Sequence, residues 1–556
     1  MDRRHFIQNS SYALGALLFS EVVPNGLFSN TEKTLITYPD SVSAILGEQV
    51  VQLKGSGAKW IYNNLTVTLE KSKTGIQVFI RSPNVSLEKV ILNWITPDKT
   101  KSTVLNDHWE RTYGDISWHP TKSEEMLPWY FMEIEGDETF GFGVKTGTNS
   151  FCSWNIGINN LALHLDTRSG GNGVKLGDRK LKAAEIVTIS SNTGETVFQT
   201  TQRFMGLMCP VARMPADPVY GINDWYFSYG NNSEKLILEH TSLMSPMAEG
   251  LNNKPFSVID AGWFATSPYH PDDRSWGNVG KSNEFFPDMA GLASKIRDLG
   301  MRPGLWTRPL CGKESDNKNL FLPINSGNTP NMPVLDPSIP ENLETIAGYF
   351  KLYNEWNYGL VKFDYTTFDI FGNWGFQMMQ KGALTQKGWH MNDVTKTNAE
   401  IILGLYKTIK KAAGNTYIIA CNTFSHLSAG IFEISRIGDD TSGNEWDRTL
   451  KMGVNTLAFR GLQHGKFYAS DADCVGLTTK VPWEKNKQWM ELVAKSGTPL
   501  FISAQPDAIG SEQKETIKKC FELASKKLPV GEPLDWLTNA FPNNWKLNGK
   551  NESFNW

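Results

Sequence analysis

Two aspartates in this chain each follow a run with the character of a buried strand. Asp364 closes Gly359-Leu360-Val361-Lys362-Phe363, and Asp440 follows Phe432 to Gly438. In barrels of parallel strands the carboxyl ends carry the catalytic groups, so both side chains are predicted to stand on one rim. Two carboxylates so placed suit cleavage of a glycosidic bond, one attacking the anomeric carbon and the other protonating the leaving oxygen. A separation of about 5–5.5 Å accompanies direct attack, and about 6.5–9.5 Å leaves room for a water. Taken singly, an Asp after a strand is as often a helix N-cap or a surface charge.

Neighbouring side chains add to the pattern. Lys362 lies two residues before Asp364, on the same side of a strand, where its ammonium is predicted to hold that carboxylate ionised and to bond a sugar hydroxyl. Arg436 precedes Asp440 by four residues, and its forked donors suit either orienting an acid or binding hydroxyls. Asp439, next in sequence, is the rival acid. Trp225, Trp263 and Trp306 fall at strand ends, where a ring either packs in the core or walls a sugar subsite; Trp306 is the first choice for the second role.

The elements that would position these residues alternate. Apolar strand-like runs occur at Tyr220 to Phe227, Phe256 to Asp260, Arg302 to Trp306, Gly359 to Asp364, Tyr417 to Cys421, Phe432 to Gly438, Gly465 to Ser470 and Thr498 to Ser503. Segments of helical period separate most of them: Ser233 to Met247, Met289 to Leu299, Pro340 to Glu355, Lys396 to Ala413, Lys485 to Ala494 and Glu512 to Ser525. Eight such units predict a closed (β/α)8 TIM barrel over residues 216–530, with long, function-bearing connections after the second, third and fourth strands. Ahead of it, residues 31–215 carry short alternating runs such as Leu65 to Leu69, Ile76 to Ile80 and Val90 to Trp94, which predict an all-β sandwich. Residues 531–556, with an Asn548-Gly549 turn, predict a short β remnant.

At 556 residues a multidomain chain is expected. A formal charge of -3 without blocks of like charge offers no footprint for nucleic acid or an anionic membrane, and favours a neutral substrate. The 19 Trp suit stacking on sugars as well as a large core. The six cysteines are scattered with no CxxC pair, and no HExxH cluster occurs, so neither a metal nor a cofactor is expected. Residues 1–30 read as an export signal, with Arg3-Arg4 followed by the apolar run Tyr12 to Phe19, too short to span a bilayer. That start resembles a twin-arginine signal, and a periplasmic or extracellular location follows as an expectation.

The motifs together resemble the melibiase-like α-galactosidases of glycoside hydrolase families 27 and 36, more closely family 36, over roughly residues 105–505. Gly221 to Trp225 resembles the family's first barrel strand, Asp260-Ala261-Gly262-Trp263 its DDGW signature, Gly304-Leu305-Trp306 its third strand, Lys362-Phe363-Asp364 its KxD motif and Arg436 to Asp440 its RxxxD segment. Asp107 to Gly114 and Asp471-Ala472-Asp473 are similar to segments ahead of the barrel and near its seventh strand. The resemblance implies a retaining enzyme with Asp364 as nucleophile and Asp440, rather than Asp439, as acid/base. It further implies Asp260, Trp263, Trp306, Lys362, Asn422 and Arg436 as substrate-binding residues. Two departures matter. Ala261 stands where the family has a second Asp gripping O4 and O6, and Cys421 to His426 replaces the stretch that touches the 2-substituent, leaving Asn422 or His426 as candidate hydroxyl ligands.

The expected activity is hydrolysis of terminal α-galactoside-like bonds in oligo- or polysaccharides. Ala261 keeps open an α-N-acetylgalactosaminide or a β-L-arabinopyranoside substrate. A carbohydrate-binding barrel without turnover is the alternative from another class. A sugar-phosphate enzyme is disfavoured, because Ser503-Ala504-Gln505-Pro506 lacks the glycines of a phosphate site.

Overall fold

The computed structural model describes residues 35–99, 102–123, 125–266, 273–312, 317–323 and 332–556; the export signal expected at residues 1–30 lies outside them. Between Ser41 and Ser190 the chain builds two antiparallel sheets, of six and nine strands. Alternation explains their burial: Leu65, Val67 and Leu69 point inward from one strand, and Ile76, Val78 and Ile80 from the next. Trp154 of the smaller sheet meets Phe131 and Phe142 of the larger, with ring centroids 6.0 and 6.4 Å apart, so the sandwich core is aromatic. The sandwich is not purely β. Val197–Met208 forms a helix capped by a Thr196/Gln199 box, and Phe204 lies flat on Gly141 and Gly143, where added Cβ atoms would stand 2.8 and 3.0 Å from its ring.

The barrel strands are β1 (Tyr220–Asn223), β2 (Phe256–Ile259), β3 (Arg302–Thr307), β4 (Leu360–Phe363), β5 (Tyr417–Ala420), β6 (Ile434–Arg436), β7 (Ala469–Asp471, resumed at Cys474–Leu477) and β8 (Leu500–Ala504). All pair in parallel in sequence order, and β8 pairs with β1. The first piece of β7 pairs with β6 and the second with β8, so the ring closes through a broken strand whose kink falls at Asp473, at φ +70°. Most of these strands are buried along their whole length, as parallel strands covered on both faces must be.

All eight predicted strands and all six predicted helices are present, with shifted ends. The β1 prediction ran to Phe227, but the chain turns at Asp224, whose carboxylate accepts the backbone N–H of Asp260 at 2.7 Å and the Ser228 hydroxyl at 2.8 Å; Trp225–Ser228 is a helical turn. A helical stretch between β6 and β7, Trp446–Arg460 with one π-helical turn at Leu450–Asn455, was not predicted. Every residue from Met452 to Arg460 is buried, so the second half of the stretch lacks the exposed polar face that betrays a helix in sequence. At the C-terminus Asn544–Leu547 and Lys550–Ser553 form a hairpin through Asn548 and Gly549, both at positive φ as a type I′ turn requires. Among the described residues no helix is long and apolar enough to cross a membrane.

The long connections lie where expected. The stretch after β2 carries the hairpin Phe264–Thr266/Gly277–Ser282, and that after β4 carries the helices Thr366–Phe371, Gly375–Lys381 and Asn398–Ala413. The sandwich reaches the same rim through residues 107–114: Thr112 donates its N–H to Ile437 O at 3.0 Å, and Asp439 donates its own to Thr112 O at 2.9 Å.

Candidate active site

Asp364 continues β4 by one residue, its N–H donated to Thr307 O at 3.0 Å. Its carboxylate accepts the backbone N–H of Tyr365 at 2.7 Å, and the Trp306 indole N–H points at its other oxygen from 3.5 Å. Tyr365 is left-handed, at φ +65°, a conformation that costs energy for a bulky residue and persists only where the surroundings enforce it. Here the Arg308 guanidinium lies 3.8 Å from the Tyr365 ring centroid and is itself clamped by Asp369 at 2.6 Å.

Asp440 follows β6, its side chain 38% exposed. Arg436 reaches one oxygen at 3.0 Å, and Arg111, from the sandwich, approaches the same oxygen at 3.8 Å. Partial burial works to raise its pKa, but Arg436, then Arg111, then Lys362 more than offset that and hold it at about 2. Asp439, the rival, is engaged on both oxygens, by Arg111 at 2.7 Å and Arg448 at 2.8 Å, which makes it an anchor for Arg111. Arg436 spans Asp440 and Asp473, each at 3.0 Å.

Asp364, Asp439 and Asp440 line one open cleft of about 200 Å³. Its remaining wall is Arg111 with four half-exposed aromatic rings: Tyr113 from the sandwich, and Tyr365, Trp374 and Phe376 from the stretch after β4. None of these five is among the site residues that the sequence predicts. Arg111 and Tyr113 fall in the motif Asp107 to Gly114, and the aromatic run behind Asp364 is the signal in sequence for the other three. Among the described residues no group of three or more His, Cys, Asp or Glu side chains is arranged to hold a metal ion.

Several predicted substrate ligands have other partners. Lys362 does not pair with Asp364. Its ammonium bonds Asp260 at 2.8 Å; burial disfavours the charge, yet Asp260 keeps it well above the usual lysine range. Asp260 also accepts Asn223 Nδ2 at 2.7 Å and the Ala261 N–H at 2.9 Å, is 2% exposed and is not among the residues lining the cleft. Asn422 is fully buried, its side-chain oxygen accepting the Thr367 N–H at 3.0 Å and fixing the helix after Asp364. Trp263 is fully buried too; it donates to Trp306 O at 2.8 Å and packs on Phe264, Tyr353 and Trp356, which is the role of a core residue. Trp306 is 2% exposed and serves Asp364 with its N–H rather than a sugar with its face. His426 stacks on Trp129 inside the core, where burial pushes its pKa down to about 3.

A β-sandwich in front of a (β/α)8 barrel, with carboxylates from separate strands sharing a cleft at the carboxyl rim, is an architecture of multidomain glycosidases. No protein-family profile matches the chain. Solved structures do resemble it. The α-galactosidase TtGalA from Thermus thermophilus, in complex with p-nitrophenyl α-D-galactopyranoside, superposes with a TM-score of 0.59 at 16% identity over 92% of this chain and 98% of that one. A variant of the family 36 α-galactosidase AgaA from Geobacillus stearothermophilus, bound to 1-deoxygalactonojirimycin, gives 0.59 at 14% identity over 92% and 77%. The galactosidase domain of the α-galactosidase–sucrose kinase AgaSK gives 0.57 at 14% over 87% and 71%. The chain therefore shares the fold of family 36 α-galactosidases.

Proposed function

We propose that the chain is a retaining, exo-acting glycoside hydrolase that removes terminal galactose-configured residues from oligo- or polysaccharides. The observation carrying this reading is the open cleft that Asp364 and Asp440 line together. Asp364, oriented by the Tyr365 N–H and the Trp306 indole, attacks the anomeric carbon; the C–O bond to the aglycone breaks as Asp440 gives its proton to the leaving oxygen. Asp440 then takes a proton from water, which displaces Asp364, so two inversions return the starting configuration. TtGalA and AgaA variants have been captured with stachyose and raffinose respectively, substrates of the kind proposed here.

Ala261 favours a second reading of the sugar. By the resemblance to families 27 and 36 it stands where a second carboxylate would grip a 6-hydroxyl, and a β-L-arabinopyranoside has none to grip. The test is p-nitrophenol release from α-galactoside, α-N-acetylgalactosaminide and β-L-arabinopyranoside, by the intact protein and Asp364→Ala. Turnover of one member that vanishes in the variant supports both class and nucleophile, and NMR of the first-formed anomer reads retention. Silence across the panel in a folded protein transfers the assignment to carbohydrate binding. Export is part of the proposal, supported by Arg3-Arg4 and the apolar run behind it, and recovery of the protein only from the cytoplasmic fraction, with its N-terminus at Met1, would refute it.

A further inference from the structure

We infer that Tyr113 and Phe376 form the subsite for the leaving group, a ring-stacking corner that receives the pyranose on the aglycone side of the scissile bond. This rests on the glycosidase reading above and deepens it. The leaving oxygen must face the proton donor, so the aglycone lies on the Asp440 side of the cleft. Asp440, half-exposed, is also the more open of the two residues, while Asp364 is buried, with the Trp306 indole against it. Arg111 marks the same side: it touches Asp440 at 3.8 Å, and Tyr113 follows it by two residues. The Tyr113 and Phe376 rings meet edge to face, centroids 4.9 Å apart and planes at 70°, so their free surfaces form a corner on the cleft.

The corner is held rigid from behind. Glu110, fully buried, accepts the Tyr113 hydroxyl, the Gly375 N–H next to Phe376, and the Thr367 hydroxyl at 2.8 Å. One carboxylate thus ties a ring from the sandwich to a ring from the barrel, and the Tyr113 hydroxyl, already engaged, leaves its ring to do the binding. Flat apolar rings fixed in this way suit the C–H face of a sugar and lose little side-chain entropy on contact.

The experiment compares raffinose with α-galactosyl fluoride, whose leaving group has no ring, or the matching β-L-arabinopyranosyl pair if that sugar is the one turned over. Phe376→Ala is expected to lower the ratio of kcat/KM for the oligosaccharide to that for the fluoride by about tenfold. Phe376→Tyr, which keeps a flat face, is expected to restore most of it. An unchanged ratio in Phe376→Ala, or a loss that Phe376→Tyr does not restore, overturns the inference. Should Phe376→Ala fail to fold by circular dichroism, Phe376→Leu, apolar without a flat face, must show the same fall in ratio. Wild-type turnover of neither substrate would instead bring down the glycosidase reading and this subsite with it.

Discussion

Removing the Lys362 ammonium leaves Asp260 charged and buried, and the size of the effect follows from its surroundings. At 2.8 Å the pair attracts by about 6 kcal/mol at an effective dielectric near 20, before desolvation is subtracted. Breaking a buried pair from one side costs roughly 3–5 kcal/mol. Asp260 keeps Asn223 Nδ2 and the Ala261 N–H, so the lower end applies, and Lys362→Met should destabilise the fold by ~3 kcal/mol. Asp260→Asn together with Lys362→Met removes both charges and should recover most of that loss. Denaturant unfolding of the two single variants and the double variant gives the coupling directly. A parallel cycle with Asp364→Asn separates the two assignments of the lysine: coupling of ~2 kcal/mol or more to Asp260 and near zero to Asp364 is expected. Coupling to Asp364 instead, or a Lys362→Met protein as stable as the parent, would refute the reasoning.

Other outcomes follow from the same geometry. Asp440, held at about 2, is ionised at neutral pH in the free protein, whereas a general acid must carry its proton, so kcat/KM should fall as pH rises; Arg111→Gln removes one cation and should move that alkaline limb upward by roughly one pH unit, the separation and exposure of the pair limiting the gain. A limb that stays or moves down counts against Asp440 as the acid. Asp471 is raised to about 6, by burial first and then by Asp473, against the pull of Arg436. Its contribution to stability is therefore complete below about pH 4 and lost as pH rises towards 6, and Asp471→Asn should flatten that part of the stability–pH curve. Trp263→Ala should cost ~3–5 kcal/mol in unfolding experiments, in keeping with a fully buried core ring; a variant as stable as the parent but with a raised KM would return Trp263 to the sugar.

The barrel was legible because its strands are short, apolar and punctuated, and because most of its helices keep a polar face, as Asn398–Ala413 does behind its Thr397/Glu400 capping box. The helix at Trp446–Arg460 was hidden because its second half, Met452 to Arg460, is buried at every residue. In the site, Asp364 and Asp440 announced themselves by their place after strands, which is a one-dimensional property. Partner choice is not: Lys362 sits two residues from Asp364 on one strand, but Asp260, 102 positions away at the end of β2 with β3 between, is the carboxylate its ammonium reaches. Arg111 and Tyr113 were illegible as site residues for the same reason, since 325 positions separate Thr112 from the carbonyl of Ile437 that it bonds.

That joint between Thr112 and the end of β6 bears on ancestry and engineering. A shuffled gene that gave this barrel another protein's front layer would keep Asp364 and Asp440 but lose Arg111, Tyr113 and the Glu110 tie, three features supplied by a few consecutive residues. The two layers must be inherited as a pair, and recombination breakpoints that preserve activity should avoid the span between the segment at 107–114 and the close of β7.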